Sequence, residues 1–288
     1  MTKQIRHLGK IISGQNTADG AGVKLKRTIN AKHQNAFDPF LMLDEFASEN
    51  ATDYIGGFPD HPHRGFETVT YMLAGAMVHR DHMGNVGHLR AGDVQWMTAG
   101  HGIIHSEMPE QEDGLLRGFQ LWLNLPAAEK MQPPHYRDYA AAEIPQVDLA
   151  DGGYLKAIAG RYQDGDGNSM TGAVTDTSTQ PQYFDIALAA HQHLSLDVAA
   201  GHTVLVYVYD GELSADQSLR RLSAGQLGQL LDGEKVSLST EAQPARLLLL
   251  SARAIGEPVV QSGPFVMNTI EEIEQAFRDY RDGVLTQL

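Results

Sequence analysis

The sequence predicts an all-β protein made of two similar antiparallel halves, closed by a short C-terminal helix. Three observations carry that prediction. Stretches rich in β-branched and aromatic residues recur at strand length between glycine turns, as in Thr68–Leu73 (TVTYML), Val94–Met97 and Gly118–Leu125 (GFQLWLNL), the pattern of a β-sandwich or barrel. The halves echo each other: Thr68–Gly75 (TVTYMLAG) resembles Val204–Gly211 (VLVYVYDG), and Leu89–Asp93 (LRAGD) resembles Leu222–Gln226 (LSAGQ). Between them, residues 126–147 carry Pro126, Pro133, Pro134 and Pro145, which interrupt strand ladders and read as an ordered linker.

In chain order, residues 1–50 hold short alternating segments punctuated by Gly9, Gly14, Gly20 and Gly22. Phe37–Phe46 (FDPFLMLDEF) reads as a strand edge or a packed loop, with its acidic residues capping turns. Ala74-Gly75 turns Thr68–Leu73 into a strand starting at Ala76–His79, and Gly84, Gly87 and Gly92 follow at turn spacing. After the linker, Tyr183–Leu188, His193–Val198, Thr203–Tyr209, Leu227–Leu231 and Arg246–Ala252 are the clearest strands. Gly165-Asp166-Gly167-Asn168 reads as a turn, because it lacks the glutamate of a calcium loop. Ile270–Tyr280 places apolar residues at 270, 273, 276, 277 and 280, which is helical spacing, with Asn268 or Thr269 as cap. The domain division is therefore 1–130, a linker over 131–147, and 148–288 ending in the helix.

At 288 residues the chain is long enough for a large core or two ordinary ones. Its 22 basic and 36 acidic residues give a net charge of −14. Such a surface repels nucleic acid backbones and anionic membranes, so direct nucleic acid binding is not expected. Cysteine is absent, which excludes disulfides, thiolate metal sites and a cysteine nucleophile. The start, MTKQIRHLGK, has no apolar signal core, and apolar runs such as Leu247–Leu250 are only strand-sized. The expectation is a cytoplasmic protein without membrane spans. Motifs for dinucleotides, P-loop phosphates and a serine nucleophile elbow are missing.

Chemistry concentrates in His61-Pro62-His63 and His105-Ser106-Glu107. Strand residues i and i+2 share a face, roughly 6–7 Å apart. If neighbouring strands bring those faces together, three imidazoles and a carboxylate converge. That donor set suits Fe, Mn, Ni, Cu or Zn and is a poor match for Mg or Ca. Either pair alone is weak evidence, since Glu107 also reads as a solvated turn residue. Together they gain weight, because seven of the 13 histidines (61, 63, 79, 82, 88, 101 and 105) fall in this stretch, and a buried cluster needs compensation. His79, His82 and His88 flank a turn and are expected to face solvent. His101, between two glycines, is expected to line the pocket or support a ligand. Glu67 competes as a ligand if the strand runs regularly from His63, and Arg64 reads as an ion-pair partner. Phe66 and Trp96 are either core or pocket wall, and core is the default. Aligning Gly75 on Gly211 sets Asp197 and Ala199 where the first half has His61 and His63. Aligning Gly92 on Gly225 sets Leu238 and Thr240 opposite His105 and Glu107. The second half repeats the architecture without the ligands.

HPHRGFETVTYMLAG (61–75), AGDVQWMTAGHGIIHSEMP (91–109) and GFQLWLNLP (118–126) resemble the pirin family of the cupin superfamily, and GPFVMNTIEEIEQAF (263–277) is similar to its C-terminal signature. The resemblance implies a bicupin, two antiparallel β-barrel (jelly-roll-like) domains of which only the first binds metal. It implies Fe(II) at His61, His63, His105 and Glu107, with Glu67, the glutamate of the general cupin pattern, left outside the ligand set. His101 stands where some relatives are expected to carry arginine, which bears on the pocket's preference. Two functions follow. One is an iron-dependent dioxygenase cleaving a flavonol such as quercetin, with Glu107 also acting as general base and Phe66, Met72 and Trp96 as candidates to hold the rings. The other is a regulatory protein whose metal oxidation state tunes docking on a protein partner. A purely structural metal is disfavoured, because structural zinc sites are closed and cysteine-rich.

Overall fold

The β-branched and aromatic runs form strands as their composition requires, and in the computed structural model they build antiparallel sheets. The structure describes residues 3–33, 36–164, 167–175, 177–216 and 218–287; half of the Gly165–Asn168 turn lies outside them. Contacts divide the chain into two compact units, Gln15–Ala141 with Ile255–Leu288, and Met1–Gly14 with Ala142–Ala254.

The first unit carries a seven-stranded sheet in the order His135–Tyr139, Val94–Thr98, Phe66–Ala74, Leu116–Asn124, Phe40–Ser48, Val23–Ile29, Gln15–Asp19. A four-stranded sheet, Phe58–His63, Ile103–Pro109, Ala76–Asp81, Val86–Arg90, accompanies it. The apolar core draws Leu25, Phe46, Met72 and Leu116 from the larger sheet and Met77 and Leu89 from the smaller. Each such side chain, once buried, contributes about 1.5–3 kcal/mol. This is the cupin barrel that the resemblance implied.

The second unit has a larger sheet running His7–Ser13, Gln226–Leu231, His202–Leu213, Ala245–Arg253, Gln182–Leu188, Gly153–Ala159, Gln146–Asp148. Its core is apolar, with Phe184, Val206 and Leu249 among Leu196, Val236 and Leu238. Leu238, which the internal alignment sets opposite His105, is fully buried in that core.

Contacts depart from the division at 1–130, 131–147 and 148–288 in three places. His7–Ser13 pairs with Gln226–Leu231, covering what would be an open edge. The 131–147 stretch is not only linker: His135–Tyr139 pairs with Val94–Thr98, and Gln146–Asp148 pairs with Gly153–Ala159. The terminal helix belongs with the first unit. It spans Ile270–Arg281, is capped by Thr269 in a reciprocal bond pair with Glu272, and buries Ile273 and Ala276 against Phe265, Met267 and Leu285. Among the described residues no helix is long and apolar enough to cross a membrane.

Phe37–Phe46 also departs from expectation. Phe40–Ser48 is an interior strand between Leu116–Asn124 and Val23–Ile29. Two of the three acids pair with cations instead of capping turns, Asp44 with Arg27 and Glu45 with Arg117, while Asp38 accepts the Gly256 backbone N–H. Guanidinium groups on the neighbouring strands make that burial tolerable.

Candidate metal centre

Antiparallel pairing of Phe58–His63 with Ile103–Pro109 sets His61 opposite His105. Period two then puts His63 on the same face. The ligand atoms of His61, His63 and His105 lie within 4.8 Å of one another. The ring centroids are 4.4 Å apart for His61 and His105, 4.7 Å for His61 and His63, and 5.0 Å for His63 and His105.

Each ring is oriented through Nδ1. In His61 it lies 2.8 Å from the Pro59 carbonyl, in His63 it lies 3.2 Å from the Pro264 carbonyl, and in His105 it lies 2.9 Å from His79 Nε2. A proton on Nδ1 donated to a carbonyl leaves Nε2 with a free lone pair, the form that binds metals. Burial holds His63 and His105 well below the usual imidazole range, so both are neutral near pH 7. His105 Nε2 is buried without a hydrogen-bond partner, a state that costs about 1–3 kcal/mol. A first-row divalent cation would satisfy it, and the imidazole donors fit one.

Glu107 stands apart from that group of three. The register shifts between His105 and Glu107, and its carboxylate accepts hydrogen bonds from Thr70 Oγ1 at 2.8 Å and Gln120 Nε2 at 2.9 Å. It nevertheless lines the same cavity as His61 and His63. That cavity encloses about 540 Å³, with Trp122, Phe46, Phe58, Met42 and Pro264 as apolar walls and Gln120, Asp44, Arg27 and Asp19 as polar ones.

Several neighbours sit elsewhere than the sequence suggested. His79 is fully buried, not solvent-facing, with its ring 4.8 Å from Tyr136; His82 and His88 are exposed as expected. The face of Ala76–Asp81 that carries Met77 and His79 is buried, which turn proximity does not reveal. Glu67 is off the ligand face, because the strand is broken at Gly65 (φ +88°) between His63 and Phe66. Its carboxylate accepts from Thr98 Oγ1, and burial pushes it up to about 7. His101 does not line the cavity; its carbonyl accepts from Arg64 Nε, and burial holds its imidazole below the usual range. Arg64 pairs with Asp279 at 2.7 Å, as an ion-pair reading requires. Phe66 packs on His63 (5.0 Å) and Trp122 (4.3 Å). Trp96 is buried and Met72 belongs to the apolar core, and neither is among the residues that wall the cavity. Trp122, Asp44 and Arg27 carry no sequence signal beyond residue type.

A profile of the pirin family matches residues 22–123, and one of the pirin C-terminal cupin domain matches residues 183–286. A Pseudomonas aeruginosa protein provisionally named a quercetin 2,3-dioxygenase is 50% identical, over 97% of this chain and 98% of its own. A pirin-like protein of Caulobacter vibrioides is 47% identical, over 97% of this chain and 99% of its own. A crystal structure described as quercetin 2,3-dioxygenase from Acinetobacter baumannii superposes with a TM-score of 0.89 at 33% identity, covering 98% of this chain and 99% of that one.

Proposed function

The chain belongs to the pirin family, and from that premise we propose a metal-dependent dioxygenase that acts on a flavonol such as quercetin. The observation that carries the reading is the convergence of three imidazole nitrogens beside a cavity of about 540 Å³ that Trp122, Phe46 and Phe58 help to wall. Pockets of this kind, apolar with a few placed polar groups, suit flat drug-sized ligands. The names borne by the Pseudomonas and Acinetobacter relatives support the same substrate class.

His61, His63 and His105 would hold the metal through Nε2, with Glu107 as fourth ligand and Fe(II) as the ion; Mn, Ni, Cu and Zn suit the same donors. Bound there, the ion supplies a Lewis acid for the substrate hydroxyl and a meeting point for dioxygen. Glu107 takes the hydroxyl proton, its carboxylate held in place by Thr70 and Gln120. Trp122, Phe46 and Phe58 flank the rings and exclude water from the reacting hydroxyl.

Anaerobically iron-loaded protein mixed with quercetin and oxygen should consume oxygen, and His61→Ala should lose both the metal and the uptake. Glu107→Gln should lower turnover at least about a hundredfold with iron retained; unchanged turnover rules out the base role. No uptake by wild type with iron confirmed overturns the enzyme reading and leaves regulatory docking as the alternative.

A further inference from the structure

Thr70, Gln120, Asp44 and Arg27 stand opposite one another across four adjacent strands, so one polar row crosses the inner face of the larger sheet. Its near end, Thr70 and Gln120, holds Glu107. Its far end is an ion pair: Arg27 Nε and Nη2 donate to the two Asp44 oxygens at 2.8 and 2.6 Å, and Nη2 also donates to Asp19 at 2.7 Å. From Gln120 to Arg27 is two strand spacings, about 10 Å. All three charged residues line the cavity that contains His61, His63 and Glu107.

Stability does not call for this arrangement. The alignment of Gly75 on Gly211 puts Val206 at the place of Thr70, and the row through Val206 reads Leu249, Phe184 and Ala157, all buried and apolar. The second unit therefore builds the same sheet with hydrocarbon at all four places. A buried ion pair is commonly matched or bettered by well-packed apolar residues, so retention of one at a cavity wall points to a ligand.

We propose that Asp44 and Arg27, steadied by Asp19, form a second recognition point that binds the ring hydroxyls of an uncharged polyphenol whose other end lies at the imidazoles. The inference rests on the flavonol reading of the site and adds the group that selects among flavonols. Each Asp44 oxygen accepts one bond from Arg27 and keeps a lone pair for a hydroxyl donor. None of the three ion-pair bonds uses Arg27 Nη1, which is left to donate to a hydroxyl oxygen. Burial holds Asp44 above the usual carboxylate range even beside Arg27, which marks a carboxylate short of hydrogen-bond donors. With two carboxylates against one guanidinium the trio is net negative, so an aromatic carboxylate is rejected at the same point.

The test is anaerobic calorimetric titration of metal-loaded protein, which needs no turnover, with quercetin and with the same flavonol lacking its catechol hydroxyls. Wild type should prefer quercetin at least about tenfold, and Asp44→Asn should bring the ratio of the two dissociation constants close to one. Asp19→Asn, which keeps the Asp44–Arg27 pair, should lower the ratio in part, and it decides the matter if Asp44→Asn does not fold. Equal binding of both flavonols by wild type, or an unchanged ratio in the variants, overturns the subsite and leaves the flavonol reading standing. Binding of neither flavonol by metal-loaded wild type overturns the flavonol reading and the subsite with it.

Discussion

At the scale of single residues, His79 determines how His105 presents itself. The two share one hydrogen bond, His79 Nε2 to His105 Nδ1, and His79 is wholly buried. If His105 Nε2 takes a metal, its proton sits on Nδ1, and His79 Nε2 must accept it. That bond fixes the tautomer and the ring angle, as partners behind metal-bound histidines commonly do. His79→Ala should therefore weaken metal binding about 10–100-fold in a chelator competition, with the fold intact by circular dichroism. Affinity within twofold of wild type would show that the strand alone aims His105. Phe66 acts differently on His63, through ring packing at 5.0 Å, with no hydrogen bond to the imidazole.

At the scale of elements, the segment after Ile255 clamps the turn that follows His63. Arg64 pairs with Asp279 on the helix and donates to the Leu285 carbonyl, while Lys130 Nζ ties the Gly65 carbonyl to that of Val266. The Pro264 carbonyl orients His63 from the same segment. Gly65 is required there, since its φ is +88° and a side chain would run into the Val266 carbonyl. Asp279→Ala leaves Arg64 buried without its counter-charge and should cost about 2 kcal/mol, less than a fully buried pair because Asp279 keeps contact with solvent. Thr269→Ala, which removes only the helix cap, should cost about 1 kcal/mol. Urea unfolding of both variants is the check: an Asp279→Ala variant as stable as wild type would mean that the ion pair adds nothing to the docking of the helix.

For the whole molecule, the buried Glu67 couples folding to pH. Its carboxyl is pushed up from 4.5 to about 7 by burial, against the hydrogen bond from Thr98. Below about pH 4.5 it is protonated in both folded and unfolded chains and costs nothing. As pH rises towards 7 the unfolded chain releases the proton first, so stability falls by up to about 3 kcal/mol across that window. Glu67→Gln removes the slope: its stability relative to wild type should improve from pH 4.5 to 7 and then level off. A difference that stays flat with pH would place the Glu67 titration at its ordinary value in the fold.

The sequence by itself determined the strand content, the duplicated halves, the terminal helix and the choice of His61, His63 and His105 as candidate ligands. All of these depend on period-two or period-3.6 patterns, which are local, and on motifs that resemble one family. Only the tertiary structure decided which buried faces meet. It placed His79 behind His105, turned Glu67 away from the ligands at the Gly65 break, set Glu107 against Thr70 and Gln120, and brought Arg27 to Asp44. It also assigned the helix to the unit of the histidines and His7–Ser13 to the other. The physical reason is common to all of them. A strand's alternation says that a side chain shares a face with its neighbours two residues away, but the partner across that face is set by register with strands tens to hundreds of residues distant.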